Sequence, residues 1–209
     1  MNMLTITARQ LLLYSHTLVF AFAIARVLRE DVALLTARRI DAVRLEATGR
    51  TIAGLLGLLW ITGVAMILLG TGLHMAVLVS KPKLAAKLTV VCLLTANGLL
   101  LHRVAFPVLT TPQRRPRRAA TICVLLGAIS SVSWLYASFV GVARLIAPAM
   151  SYTAFLALYG VGLVGGIGTA LAVARPRVER LLAPMSGGDV VVGSAPDRTN
   201  ELAAFLARP

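Results

Sequence analysis

Charge is scarce in this 209-residue chain, and acid is scarcer: 14% of the residues are charged, with 8 Asp and Glu against 21 Lys and Arg. Together with 58% hydrophobic content and a mean hydropathy of +0.83, that excludes an ordinary soluble domain. The two cysteines, Cys92 and Cys123, fall inside apolar stretches, so no extracytoplasmic disulfide framework is implied. H-E-x-x-H, C-x-x-C, Walker and Rossmann patterns are missing, and the expected spans hold no Asp or Glu. Hydrolytic, nucleotide-driven and proton-relay mechanisms are disfavoured accordingly. No internal repeat is convincing, which leaves an inverted-repeat transporter unsupported.

What is there is apolar length. Uncharged runs lie at 10–25, 51–80, 88–102, 119–143 and 145–174. Crossing the hydrocarbon takes roughly 20 apolar residues, and the two shorter runs reach that if Arg9, Arg26, Lys87 and Arg103 snorkel toward headgroups. The spacing predicts an all-α membrane bundle of five helices, near 10–29, 52–79, 86–109, 119–146 and 152–175. A β-barrel is excluded, because its strands would alternate polar and apolar positions over about ten residues.

The net charge of +13 resembles a nucleic-acid footprint in size but not in distribution. Arg26, Arg29, Arg38, Arg39, Arg44 and Arg50 fill the first loop. Arg114, Arg115, Arg117 and Arg118 fill the third, and Arg175, Arg177 and Arg180 follow the last helix. The other side has Arg9, Lys81, Lys83 and Arg144. This positive-inside bias predicts an outside N-terminus and a cytoplasmic C-terminus in a cell inner membrane, with lipid rather than nucleic acid as the surrounding partner. Ala23-Ile24-Ala25 offers an A-x-A-like cleavage site, but a single upstream Arg9 and an Arg-rich downstream flank favour a retained helix over a signal peptide.

Residues 1–182 therefore read as the transmembrane domain and 183–209, with Gly187, Gly188, Gly193 and Pro196, as a flexible cytoplasmic tail. The first loop, about 30–50, reads as a solvated helical extension or an interfacial segment able to meet anionic lipid. Tight second and fourth loops predict helices two and three, and four and five, as antiparallel neighbours. Gly162 and Gly166 form a small-xxx-small pair, expected to seat helix four or, alternatively, a second copy of the chain.

All three histidines fall in or beside spans, where an ionisable group is a functional hypothesis by default. His16 is expected about 6 residues, or roughly 9 Å, into helix one. His74 is placed near the outer end of helix two, and Lys87 opens helix three from the same side. Cys92 lies about a turn and a half further in. His102 is assigned to the cytoplasmic interface. Two facing imidazoles can hold a haem iron, and neutral imidazole also suits copper or zinc. Met1, Met3, Met75 and Met150 add soft donors on the outer side.

Several segments together are similar to a known group: Ser15-His16-Thr17 followed by Arg26-Val-Leu-Arg-Glu-Asp31, then Trp60-Ile-Thr-Gly63, then Lys81-Pro-Lys-Leu-Ala-Ala-Lys87-Leu, with His102 fifteen positions later. Over about residues 10–108 the chain resembles the small polytopic CopD-like and HemJ-like membrane proteins. In the HemJ-like members a first-helix histidine and a lysine opening helix three are linked to haem b and to protoporphyrinogen oxidation. The resemblance thus implies haem roles for His16 and Lys87. Helix one here ends Ala25-Arg26-Val27-Leu28, without the aromatic and Pro-Arg-rich ending of HemJ-like proteins. CopD-like members imply copper handling instead. The leading expectation is a haem b site in the outer half, with His16 as an axial ligand and His74 or Lys87 opposite, serving electron transfer or a membrane redox step with a redox partner. The alternatives are a copper-handling protein and a cofactor-free accessory subunit of a membrane complex.

Overall fold

Five helices account for most of the chain in the computed structural model, which describes residues 3–37, 41–71, 80–111, 113–143 and 145–183. They are α1 (Met3–Thr36), α2 (Ala42–Thr71), α3 (Pro82–Thr110), α4 (Pro116–Val142) and α5 (Tyr152–Leu182), each long and apolar enough to cross a membrane. His74, Met1, Met75 and the tail from 184 lie outside the described residues.

The helices overrun the expected spans at several ends, and local chemistry says why. The polar stretch about 30–50 is largely helix: α1 continues to Thr36, and α2 begins at Ala42, with the Asp41 carboxylate accepting from the Arg44 backbone N–H at 3.1 Å. At 34 residues α1 is about 51 Å long, well beyond ~30 Å of hydrocarbon. Pro116 opens α4 because a missing N–H costs nothing in a helix's first turn. Helix α4 ends at Val142 rather than 146, and a short 3₁₀ turn, Ala147–Ala149, leads to the Ser151 cap of α5. The Ser151 hydroxyl accepts from the Ala154 N–H at 3.2 Å. Helix α5 passes Pro176 and runs to Leu182, beyond the expected end at 175.

Helix α3 is not uniform. Residues Leu101–Ala105 form a π turn between Pro82–Leu100 and Phe106–Thr110. Pro107 explains it: the ring offers no N–H and would crowd the carbonyl a turn earlier, so the preceding turn widens. The Cys123 thiol on α4 donates to the Ala105 carbonyl at 3.7 Å, at the end of the widened turn.

The bundle divides into two groups. Helix α1 packs chiefly on α2, and α4 packs chiefly on α5 and α3. In lipid, association between helices rests on van der Waals fit and interhelical hydrogen bonds rather than on the hydrophobic effect. Both are present between α4 and α5. Gly162 lies against Val132, and Gly166 lies so close to the same side chain that a Cβ there would collide with it. The Ser133 and Tyr159 hydroxyls pair at 2.8 Å, and the Tyr136 hydroxyl donates to the Phe155 carbonyl at 2.6 Å. Asn97 of α3 donates to the Leu126 carbonyl of α4 at 3.0 Å. The glycine pair thus lies against Val132 of α4 within one chain.

The expected pairing of helices two and three takes a different form. Helix α2 meets α3 through the Phe106–Thr110 end and through the Trp60 indole N–H, which donates to the Thr95 hydroxyl at 3.0 Å. Elsewhere a cleft separates the α1–α2 hairpin from α3 and α4, and it holds two cavities.

Candidate functional site

Two hollows lie end to end in this cleft, and Leu56, Trp60, Leu94 and Trp134 line both. Trp134 is 2% exposed and stacks obliquely on Phe20, with ring centroids 5.7 Å apart. These residues form the wall between the hollows. The first cavity belongs to the end of the bundle where α1 starts, α2 ends and α3 starts. The second belongs to the end that gathers the α1–α2 loop and the arginines.

The first cavity, about 340 Å³, falls at the lower end of the roughly 300–1,000 Å³ range of ligand pockets. It brings together two of the three residues expected at the site: His16 of α1 and Lys87 of α3 both line it. Arg9, expected to snorkel at a span end, and Lys81, expected in the second loop, line it too and are exposed at its mouth. Since α1 starts at Met3 rather than near 10, His16 sits about 13 residues, or roughly 20 Å, along its helix, and not near the end. His16 therefore lies further from the start of its helix than the expected start near 10 placed it.

The Trp60-Ile-Thr-Gly63 segment builds the imidazole's surroundings. The Thr62 hydroxyl lies 2.8 Å from both the Leu58 carbonyl and His16 Nδ1, and when it donates to the carbonyl it accepts from Nδ1–H. In that arrangement the proton is on Nδ1 and the lone pair on Nε2, as in a metal-ligating histidine whose tautomer a neighbouring acceptor fixes. Gly63 lies beside the ring: a Cβ built there would stand in ordinary van der Waals contact, 3.6 Å from His16 Cε1. Trp60 itself is part of the dividing wall.

The other expected donors are placed elsewhere. Cys92 is exposed and does not line the cavity, so its position a turn and a half inward does not bring it to His16. Met3 is 81% exposed, and Met150 packs on the core formed by Phe155, Tyr159 and Val90. Among the described residues no group of three His, Cys, Asp or Glu side chains is assembled for a metal ion.

The second cavity, about 350 Å³, escapes the sequence reading. Helix one was expected to end at 29, which puts Glu30 and Asp31 in a loop. In the structure both lie within α1 and line this cavity, so a span does carry acids. Asp31 accepts from the Ser131 hydroxyl of α4 at 2.6 Å. Glu30, 14% exposed at its side chain, accepts from the Thr48 hydroxyl and the Arg44 guanidinium, both at 3.2 Å. His102, expected at an interface, lines the same cavity from the π turn, edge-on to Phe106. Its ring and that of Phe106 fill the space a side chain at position 49 would need, which explains Gly49. The available signal was the Glu30-Asp31 pair, two acids following Arg26 and Arg29 at the end of an apolar helix with no helix breaker between.

The first cavity joins aromatic lining from Phe20, Trp60 and Trp134 to the basic groups of Arg9, Lys81 and Lys87 and the His16 imidazole. A comparison with family models, with curated proteins and with solved structures finds no match for this chain.

Proposed function

We propose that this is a multi-pass inner-membrane protein that binds haem b in the basic-mouthed cavity and uses it for electron transfer or a membrane redox step. The observation that carries the reading is the His16 imidazole lining an aromatic, basic-mouthed cavity with Thr62 beside its Nδ1, where a Thr62-held Nδ1–H would leave Nε2 as the lone-pair nitrogen. Haem b is an apolar plate with two carboxylates. Arg9 and Lys81 at the mouth suit the carboxylates, Phe20, Trp60 and Trp134 suit the plate, and His16 suits the iron. Lys87 lines the cavity from the opposite helix group and is the second position to test, together with His74. Bound haem would supply one-electron chemistry. The chain's own residues would orient it, exclude water and set its surroundings.

The positive-inside bias supports an outside amino end, which puts this cavity in the outer half and the arginine-rich end in the cytoplasm. The resemblance of His16 and Lys87 to the HemJ-like pattern supports the same assignment. Copper handling is supported less, because Cys92 and the described methionines Met3 and Met150 do not converge on His16. A cofactor-free subunit is the second reading, favoured by an imidazole that already ties α1 to α2.

The deciding experiment is the reduced-minus-oxidised absorption spectrum of the detergent-purified chain expressed with adequate haem supply. Split α and β bands with one haem per chain are expected. A flat spectrum from folded protein overturns the haem assignment, after which metal analysis and copurification distinguish copper handling from a subunit role.

A further inference from the structure

The second cavity differs in chemistry from the first and needs its own account. Its hollow comes from missing side chains: Gly57 of α2, Gly98 of α3 and Gly127 of α4 line it, and nothing lies within 4 Å of where a Cβ would stand on any of them. Its charged lining residues are both acids, Glu30 and Asp31. Glu30 is paired with Arg44, which is half exposed and approaches from outside the cavity. Asp31 has a neutral hydroxyl as its partner, not a cation. A carboxylate in an apolar hollow without a counter-charge is costly, and that cost is relieved when a cation enters. Trp60 and Trp134 close the far end with aromatic surface, which attracts cations as well as apolar groups.

We propose that this cavity is a binding site for a lipophilic organic monocation, a protonated amine or quaternary ammonium or phosphonium ion carrying an apolar body, with Asp31 as its counter-ion. A bare metal ion fits poorly, since the lining is mainly apolar and no set of three metal-ligating side chains is assembled among the described residues. An anion would face two carboxylates. Glu30 plays the lesser part because Arg44 and Thr48 already satisfy it. The assignment is independent of haem in the other cavity.

The test is equilibrium dialysis of radiolabelled tetraphenylphosphonium against the detergent-purified full chain, with every variant in the same detergent so that micelle partitioning cancels. Saturable binding near one ion per chain is expected, undiminished by the neutral triphenylphosphine oxide. Asp31→Asn should weaken it by about tenfold or more, as expected for losing the only unpaired counter-charge. Gly127→Leu fills the hollow from a position with open space around it, so it should abolish binding while the circular-dichroism melt stays at the parent value. Parent-like affinity in Asp31→Asn, parent-like binding in a folded Gly127→Leu, or equal competition by the neutral oxide would each overturn the assignment.

Discussion

The two cavities are alike in size, about 340 and 350 Å³, share the wall of Leu56, Trp60, Leu94 and Trp134, and differ in charge. The first has Arg9, Lys81, Lys87 and His16; the second has Glu30, Asp31 and His102. The contrast runs against the surface charge of the chain. The end richest in arginine holds the acidic hollow, while the end poor in charge turns most of its basic residues into the other one. Topology and recognition are thus separable. The loop arginines carry the positive-inside bias, whereas the few charges that face a cavity would select what enters it under the two proposals made above.

The sharpest way to break this contrast is His16→Ala. Haem retention should be lost entirely, because no other described imidazole lines that cavity, while tetraphenylphosphonium binding to the acidic cavity stays unchanged. Haem-to-protein ratio and dialysis on one preparation check both halves. Unchanged haem content would remove His16 from the site.

Trp134→Ala should come next, acting on the wall itself. The buried indole contacts Phe20 and packs with Ala23, Leu59 and Leu94, so its loss is expected to cost about 3 kcal/mol through the hole it leaves. It also joins the two hollows. A lowered melting temperature together with weakened binding in both cavities is the expected pair of results; loss confined to one cavity would show that Trp134 does not serve as a common wall. Thr62→Val is smaller and more selective. It keeps the shape but removes the acceptor that holds Nδ1–H, and a lost partner of this kind typically costs about 10–100-fold in metal affinity. Haem titration of the variant gives the factor, and an unaltered affinity would mean that the tautomer is set by something else.

These variants draw on parts of the molecule that were unequally legible in the sequence. The five spans were readable because charge is excluded from hydrocarbon, and each uncharged run falls on one of the five helices. Their ends were less readable. A helix such as α1 continues past its last apolar residue whenever the polar residues beyond it find partners, as Glu30 and Asp31 do on α2 and α4. Misplacing that end by seven residues hid the acidic cavity. His16 and Lys87 were legible as rare polar residues at depth, and their meeting in one hollow bears on the site directly. Gly162 and Gly166 signalled close approach correctly, but only packing tells that the visitor is Val132. The separation of α2 from α3 was not legible at all. A tight connection limits how far two helices can be apart at one end, and the glycines at 57, 98 and 127 open the space between the helix groups further along.

The smallest expected effect concerns the mouth of the basic cavity. Arg9 and Lys81 are exposed, so each contributes a screened attraction worth roughly 1 kcal/mol or less to a bound carboxylate. Replacing either with Gln should weaken haem binding by no more than about fivefold at low ionic strength, and added salt should shrink the difference further. Lys87, half-buried inside the same hollow, is less screened, so Lys87→Gln should exceed both and persist in salt. Titrating haem into the three variants at two salt concentrations orders them. If Lys87→Gln matched the mouth variants in size and salt dependence, Lys87 would belong with the charges that merely draw an anion in, and the second axial position would rest on other residues.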